Sequence, residues 1–211
     1  MVFFCWNRPS LEVQKDCVNK SGSFNYDTKY RGATAKPLSS LQQKGELAKD
    51  GFFVNHSRVL VGSGHPTYEK AKNALQSWRH FALNWAFVNP KTPIQTETKF
   101  CVCVKQFLPW MLMPLQVSYI TEVSDRKKHK ASFGFGSGTL QGHLLAGEER
   151  FSVEMDENDQ VWNLLRLKDP FTYREGGGVR GTFCLRILHW MIRSTYSWKL
   201  LKSEQSNLLC V

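Results

Sequence analysis

The stretch FGFGSG, residues 133–138, constrains the fold of this chain more than any other feature. Side chains alternate between the two faces of a strand, so one face would carry only glycine and the other Phe133, Phe135 and Ser137. Glycine inside a strand marks a bulge, a bend or a close approach of another group to the backbone. We therefore predict a tightly curled strand whose bare face leaves room for a helix, for a ligand, or for the bend alone.

Three glycine-dependent enzyme motifs do not match this stretch. A P-loop requires Lys and then Ser or Thr after its last glycine, and neither follows here. A dinucleotide-binding loop requires a third glycine where Thr139 or Gln141 stands. A nucleophile elbow requires one residue between the central serine and each glycine, whereas Ser137 is flanked directly by glycines. The sequence thus argues against these enzyme classes.

The elements predicted after residue 50 are a strand, a helix and a series of further strands. The first strand spans 51–64, where Phe53, Val59 and Val61 share one face. The helix begins around Pro66, since proline is favoured in a first helical turn. Its apolar stripe consists of Tyr68, Ala71, Leu75, Trp78 and Ala82. The further strands are predicted at 84–88, 99–106, 115–123, 131–140, 147–155 and 160–167.

This order predicts an α+β fold, with a curved antiparallel sheet and one main helix packed on it. Such a sheet is expected to bury one face under the helix, with a groove or cavity between them. Short helices are predicted at 9–19 and 38–44, and 183–201 is apolar and basic enough to form another. The C-terminal architecture is otherwise left open. The chain divides into an irregular N-terminal segment at 1–50, the sheet-and-helix domain at 51–167, and a basic tail at 168–211.

The most apolar segment, residues 100–120, has the length of a transmembrane helix. It also contains a lysine and two prolines, Pro109 and Pro114, which fit a membrane helix poorly. We predict instead a buried hairpin with strands at 100–106 and 115–123, joined by a loop that the prolines hold open.

The net charge of +10 favours anionic partners such as acidic lipid headgroups, nucleic acid or acidic proteins. The basic residues follow no nucleic-acid recognition motif, so nucleic acid is not expected as a partner. The basic turn at 125–130 is a candidate contact with anionic lipid, although charged hairpin tips are common. The six cysteines show neither a disulfide framework nor zinc-ligand spacing, and the first residues lack the features of a signal peptide. We therefore expect reduced thiols, no metal site, no cofactor and no secretion.

His143, Glu148 and Glu149 form the compact acid–base set of the chain. A histidine beside a carboxylate can transfer protons near neutral pH. The three would meet only if 139–145 and 147–155 fold back on each other. The alternative, which we favour, is a histidine that hydrogen-bonds a turn next to two solvated carboxylates. No enzymatic activity is therefore expected, and an enzyme that uses His143 is the weakest hypothesis.

Several motifs together resemble one family. They are FNYDTKYRG (24–32), DGFFVNHSRVLVGSG (50–64), YEKAKNALQSWRHF (68–81), KFCVCVK (99–105), LPWMLMPLQVSYI (108–120) and FGFGSGTLQGHLLAGEERFSVE (133–154). On these residues the chain resembles the plant members of uncharacterised protein family 0548, a domain family of unknown function. The order of strands and helix is also similar to the helix-grip folds (START or Bet v 1-like) that hold apolar ligands, an analogy at the level of the fold. The resemblance ends after Trp162, which suggests an alternative splice form or a misread exon boundary.

The family resemblance implies a location more than a reaction. The family has no established reaction, and its plant relatives are described as chloroplast outer-envelope proteins, one with cation-selective channel behaviour. The resemblance therefore implies a plastid outer-envelope protein that contributes to cation passage, with the envelope membrane or anionic lipid as partner. The alternative is a soluble, cytoplasmic helix-grip module that binds an apolar small molecule or lipid. The predicted ligand-binding residues are Arg58, Trp78, Trp85, Trp110, Phe133, Phe135 and His143.

Overall fold

The computed structural model describes residues 3–37, 39, 52–105, 109–125 and 130–170, with 52–55 and 166–170 described by their backbone. Its strands are β1 Phe3–Cys5, β2 Phe52–Ser63, β3 Ala86–Phe87, β4 Lys99–Lys105, β5 Trp110–Asp125, β6 Lys130–Thr139, β7 Glu148–Met155 and β8 Gln160–Pro170. Its longer helices are α1 Leu11–Lys20 and α2 His65–Gln76, and 3-10 turns lie at Thr28–Tyr30, Ala33–Ala35 and Arg79–Phe81. The predicted helices at 38–44 (apart from one position) and 183–201, and most of the basic turn at 125–130, lie outside the described residues.

The strands of the described part form one antiparallel sheet in the order β2-β8-β7-β6-β5-β4-β3, with β1 paired to β5. Register shifts between Leu60 and Gly62 and between Val117 and Tyr119 mark bulges, which bend strands and increase their twist. The sheet curls into a half-barrel around α2. The predicted α+β class and helix-grip architecture are thereby confirmed.

Helix α2 packs on the concave face of the sheet. Alternate residues of β4 to β8 point to this face and form the main hydrophobic core with the buried side of α2. The large members of this core include Trp78, Phe100, Met113, Phe133, Phe135, Val153 and Val161.

The helix is shorter than its apolar stripe suggests. Pro66 lies in the first turn, as predicted, and the stripe is buried as far as Trp78. The helix ends at Gln76, and Trp78 takes a left-handed conformation with φ of 58° that turns the chain into the following 3-10 turn. Ala82 is consequently exposed, so its predicted place in the stripe is wrong.

The apolar segment 100–120 forms β4 and the first part of β5, which confirms the predicted hairpin. One detail of that prediction is wrong, because Pro114 lies within β5 opposite Cys101 and not in the loop. The Pro114 carbonyl accepts a hydrogen bond from the Leu140 N–H, on the edge of β5 that faces β1 and β6. The nitrogen of Pro114 faces the same edge, at a position between the residues paired with β1 and those paired with β6. The sheet therefore loses no strand-to-strand bond at this proline. Within the described ranges, no helix combines the length and the apolar character that a membrane crossing requires.

N-terminal residues cover the opposite, convex face of the sheet, so the expectation of only one buried face is wrong. Helix α1 packs on β4 and β5, where the Cys101 thiol lies 3.8 Å from the Cys17 thiol and 3.9 Å from the Cys103 thiol. The four described cysteines are free thiols. Residues 23–35 then pack across the end of β6 and onto β7. The described part of the N-terminal segment is thus a second layer of the fold.

Some strands differ in length from their predictions. The predicted strand at 84–88 is reduced to Ala86–Phe87, whereas β5 already begins at Trp110 and β8 continues to Pro170. A turn at 156–159 joins β7 and β8, and the Asp156 carboxylate accepts bonds from the N–H groups of Asn158 and Gln160.

Candidate functional site

Aromatic rings fill the space that Gly136 and Gly138 of β6 leave on the convex face, and Ser152 fills the space at Gly134. A Cβ atom on Gly136 would lie 2.2 Å from Cε1 of Tyr119, and one on Gly138 would lie 2.2 Å from the Tyr26 hydroxyl oxygen. These distances are far below van der Waals contact, so a larger residue would displace a ring. The room at the glycine face is therefore occupied by the chain's own side chains.

Glu148 lies on the same convex face and is only 2% exposed. Its two carboxylate oxygens accept bonds from the N–H groups of Gly32 at 2.8 Å and Thr34 at 2.9 Å. The hydroxyl groups of Thr34, Ser118 and Tyr26 also donate to it. A buried carboxylate needs such donors because its desolvation is otherwise costly. We call this arrangement the Glu148 clamp, since it fastens the N-terminal segment to the sheet.

Two tyrosines border the Glu148 clamp, and burial raises the pKa of each. For Tyr26 the negative charge of Glu148 adds to the effect of burial on the pKa. For Tyr119 the rise in pKa is opposed by its 2.7 Å hydrogen bond with Thr34 and by the nearby Arg150. Both phenols stay protonated at neutral pH. The clamp pairs the chain's own donors and acceptors, which is typical of a structural network.

A different polar group, His80, lies inside the aromatic core on the concave face. Its ring centroid is 4.7 Å from that of Phe81 and 4.8 Å from that of Phe151. The side chain is 7% exposed, and neither ring nitrogen has a hydrogen-bond partner among the described residues. Burial lowers the pKa of His80 to about 3. The ring is therefore neutral at pH 7 and offers one N–H donor and one acceptor nitrogen.

Three further polar side chains are buried on the concave face. Asn163 is 5% exposed, and its Oδ1 atom has no partner within the described part of the chain. Ser137 donates a hydrogen bond of 3.1 Å to Glu149, and both residues are buried. A buried polar group that stays unpaired costs roughly 1–3 kcal/mol.

Strand pairing fixes where these groups lie relative to one another. Phe151 lies opposite Phe135 on β6 and opposite Leu165 on β8. Asn163 is its diagonal neighbour on β8, and Glu149 is its neighbour along the same face of β7. Such neighbours are about 7–8 Å apart, so these polar groups lie around the Phe151 ring. We call them the concave polar set, which consists of His80, Ser137, Glu149 and Asn163.

The structure separates the three residues considered as an acid–base set. The ends of β6 and β7 do fold back on each other. Successive residues of β7 nevertheless point to opposite faces, which places Glu148 on the convex face and Glu149 on the concave face. Nδ1 of His143 lies 3.0 Å from the Leu145 nitrogen and 3.1 Å from its carbonyl oxygen, so the ring bonds its own turn.

The expected environment of these residues is right for the histidine and wrong for the carboxylates. His143 hydrogen-bonds a turn, and burial lowers its pKa to about 4. Glu148 and Glu149 are buried and not solvated. Within the described ranges, no three His, Cys, Asp or Glu side chains are arranged to hold a metal ion.

Four of the predicted ligand-binding residues belong to the concave core. Trp78, Phe133 and Phe135 are buried there, and Trp85 packs at its margin. The Trp78 indole N–H donates to the carbonyl oxygen of Thr92 at 2.8 Å, which leaves its ring free to stack. Whether these side chains contact a ligand stays a prediction.

The other predicted residues lie elsewhere. Trp110 packs on the convex face with the cysteine cluster. The Arg58 guanidinium lies 3.8 Å from the centre of the Trp162 ring and 3.8 Å from the Asp156 carboxylate, on the outside of the sheet. His143 lies in its turn, so these three do not join the concave core.

Sequence reasoning missed His80, Asn163 and Phe151. The predicted helix continued to Ala82, which hid the fact that the chain turns at Trp78 and places His80 in the core. A left-handed tryptophan has no signal in the sequence. Alternation along β7 and β8 was a usable signal for Phe151 and Asn163. Each lies two residues from a buried valine, Val153 or Val161, and therefore shares its face of the strand.

Comparison with known proteins identifies relatives of unknown function. The profile of a domain of unknown function, DUF1990, matches residues 33–166. The UPF0548 protein At2g17695 of Arabidopsis thaliana is 57% identical over 162 residues, which cover 77% of this chain and 79% of that protein. A UPF0548 protein of Dictyostelium discoideum is 29% identical over 178 residues, covering 79% of this chain and 81% of the relative.

Two solved structures show a weaker similarity. The hypothetical protein jhp0584 from Helicobacter pylori has a TM-score of 0.44 and 15% identity, covering 84% of this chain and 92% of its own. Ara h 8.0201 has a TM-score of 0.42 and 6% identity, covering 72% of this chain and 99% of its own.

Proposed function

This chain belongs to the UPF0548 family, whose domain of unknown function covers more than half of its length, and we propose that it binds a small, largely apolar molecule on the concave face of its sheet. The family predicted from the sequence motifs is thereby confirmed. The observation that carries the proposal is the concave polar set, whose unpaired atoms lie within an aromatic core.

The energetic cost of these atoms supports a bound partner. Both ring nitrogens of His80 and Oδ1 of Asn163 lack partners among the described residues. At roughly 1–3 kcal/mol for each atom, the total is a sizeable part of the ~5–15 kcal/mol by which domains are stable. Native cores hold few such atoms. Their gathering around one aromatic ring is explained if a bound molecule supplies the missing bonds.

The surroundings of the polar set define the rest of the molecule. His80 lies among the rings of Trp78, Phe81, Phe135 and Phe151. Ligand sites combine such apolar walls with a small number of polar groups that fix orientation. The proposed ligand is therefore mostly aromatic or aliphatic, with a polar group directed at His80.

A fluorescence titration with N-phenyl-1-naphthylamine, a neutral apolar dye, tests the proposal. We expect saturable binding to the full chain with one dye per protein, verified by native mass spectrometry. The matched control is Arg58→Ala, which changes the outside of the sheet and should bind the dye like the wild type. The proposal is contradicted if the folded protein, as judged by circular dichroism, shows no saturable signal.

The location and the cation-passage hypothesis rest on the family resemblance alone and stay predictions. The same holds for the envelope membrane or anionic lipid as partner and for the cytoplasm as alternative location. Alkaline extraction of plastid envelope membranes addresses them, because complete release of the protein would contradict a membrane-embedded pore.

A further inference from the structure

We propose that the ligand of the concave face carries a neutral hydroxyl or carboxamide group that bonds His80 and Asn163, and that a carboxylate is rejected there. This inference rests on the proposed function and adds the chemical class of the ligand. It follows from which donor and acceptor atoms of the concave polar set have no hydrogen-bond partner among the described residues.

The vacant roles require both a donor and an acceptor from the ligand. Neutral His80 presents one N–H donor and one acceptor nitrogen, and both are unpaired among the described residues. Asn163 adds an unpaired acceptor, its Oδ1 atom. A primary carboxamide has one acceptor oxygen and two N–H donors, so it can fill all three vacant roles. A hydroxyl accepts from the His80 N–H and donates to Asn163 Oδ1, so it serves both residues and leaves the second ring nitrogen of His80 unpaired.

A carboxylate would leave two of the three unpaired atoms without a partner. A carboxylate only accepts, so Asn163 Oδ1 and the bare nitrogen of His80 would keep no donor. It would also lie near Glu149, which is 7% exposed on the same face, and like charges repel strongly where water is excluded.

The His80 ring supplies no charge that could compensate a carboxylate. Burial keeps its pKa far below neutral pH, and the ring is enclosed by aromatic neighbours, with centroids 4.7 to 6.4 Å away. The other members of the concave polar set are a serine, an asparagine and a glutamate. The site therefore has no cation of its own among the described residues, which distinguishes it from a fatty-acid or phosphate site.

Three probes with one ring system separate these classes: naphthalene, 2-naphthol and 2-naphthoate, each measured at pH 7 by displacement of N-phenyl-1-naphthylamine. For the wild type we expect 2-naphthol to bind about tenfold or more tightly than naphthalene, as one additional net hydrogen bond gives. We expect 2-naphthoate to bind more weakly than naphthalene. In His80→Phe, which keeps an aromatic ring without nitrogens, the preference for 2-naphthol should fall below about threefold while naphthalene still binds.

Asn163→Leu is the second variant and should also reduce the preference for 2-naphthol, which keeps the test valid if His80→Phe does not fold. Arg58→Ala is the control and should retain the full preference. Equal affinity of the wild type for naphthalene and 2-naphthol, or tightest binding of 2-naphthoate, overturns this inference and leaves the proposed function intact. If no probe and no dye binds the folded protein, the proposed function fails together with the inference.

Discussion

Replacing Glu148 by glutamine tests the role of the buried carboxylate in fastening the N-terminal segment. The carboxylate accepts bonds on both oxygens, from N–H groups of Gly32 and Thr34 and from three hydroxyls. Glutamine keeps one acceptor oxygen and turns an NH₂ group toward the other donors. Hydrogen bonds to a charged group contribute about 1.5–3 kcal/mol each, so losing two of them predicts a destabilisation of about 3–6 kcal/mol.

The free energy of unfolding from urea titrations, followed by circular dichroism, measures this loss. Glu154→Gln is the matched control, because Glu154 lies on the same face of β7, is partly exposed and has one long bond, 3.4 Å, to Ser152. We expect the control to change stability by less than about 1 kcal/mol. Hydrogen exchange should show residues 24–35 opening faster in Glu148→Gln, while α2 keeps its protection relative to global unfolding.

The reasoning is refuted if Glu148→Gln is no less stable than Glu154→Gln. It is also refuted if exchange in 24–35 stays at the wild-type rate. Either result would mean that the donors around Glu148 contribute little to holding the N-terminal layer on the convex face.

Three further predictions concern the glycine face, the pH dependence and the thiols. Gly136→Ala places a methyl group into the Tyr119 ring and should lower the melting temperature, with a loss of about 1–3 kcal/mol or more; unchanged melting would contradict the packing. Because unfolded His80 takes up a proton near pH 6.5 and folded His80 only near pH 3, the unfolded state binds more protons as pH falls below 6.5. Its contribution to stability is complete above that range and should drop by about 2 kcal/mol from pH 7 to 5. The total loss measured in urea titrations should therefore be smaller by that amount in His80→Phe, where buried His143 still contributes. Hydrogen bonds with Cys103 and Cys17, together with burial, raise the pKa of the Cys101 thiol, so peptide mapping after maleimide treatment should find Cys17 and Cys101 unmodified until the protein unfolds; labelling of the folded protein would contradict their burial.

The main architecture was accessible from the sequence because it depends on local periodicity. Alternation along β2 and the strands from β4 onward, and the three- and four-residue steps of α2, reflect which side of each element faces the main core. Glycine at every second position of β6 predicted a bare strand face, and the structure has one. Each of these patterns can be recognised from residues that are close together in the sequence.

The parts that sequence reasoning missed depend on contacts between distant residues. The rings that fill the glycine face come from Tyr26 and Tyr119, and the donors to Glu148 come from residues more than 100 positions away along the chain or from β5. The N-terminal segment was predicted to be irregular, and nothing in its sequence indicated that the N–H groups of Gly32 and Thr34 bind the buried carboxylate of Glu148. Spacing along the chain carries no information on such pairings.

The candidate site was half predicted for the same reason. Trp78 and Phe135 were identified by their periodicity and do lie in the concave core. His80 was missed because the left-handed conformation of Trp78, which ends the helical periodicity, is imposed by packing and not by a local motif. The polar group on which the proposed function depends was therefore not among the residues that the helical periodicity identified.

The most direct test of the central proposal is the ¹⁵N chemical shift of the His80 ring nitrogens, measured by NMR while 2-naphthol is titrated into the protein at pH 7. The His80→Phe variant assigns the two signals. If the molecule binds on the concave face and bonds this ring, both shifts should move and saturate at the dissociation constant found by dye displacement. If displacement saturates while the His80 nitrogens do not move, the molecule binds elsewhere and the proposed site is wrong.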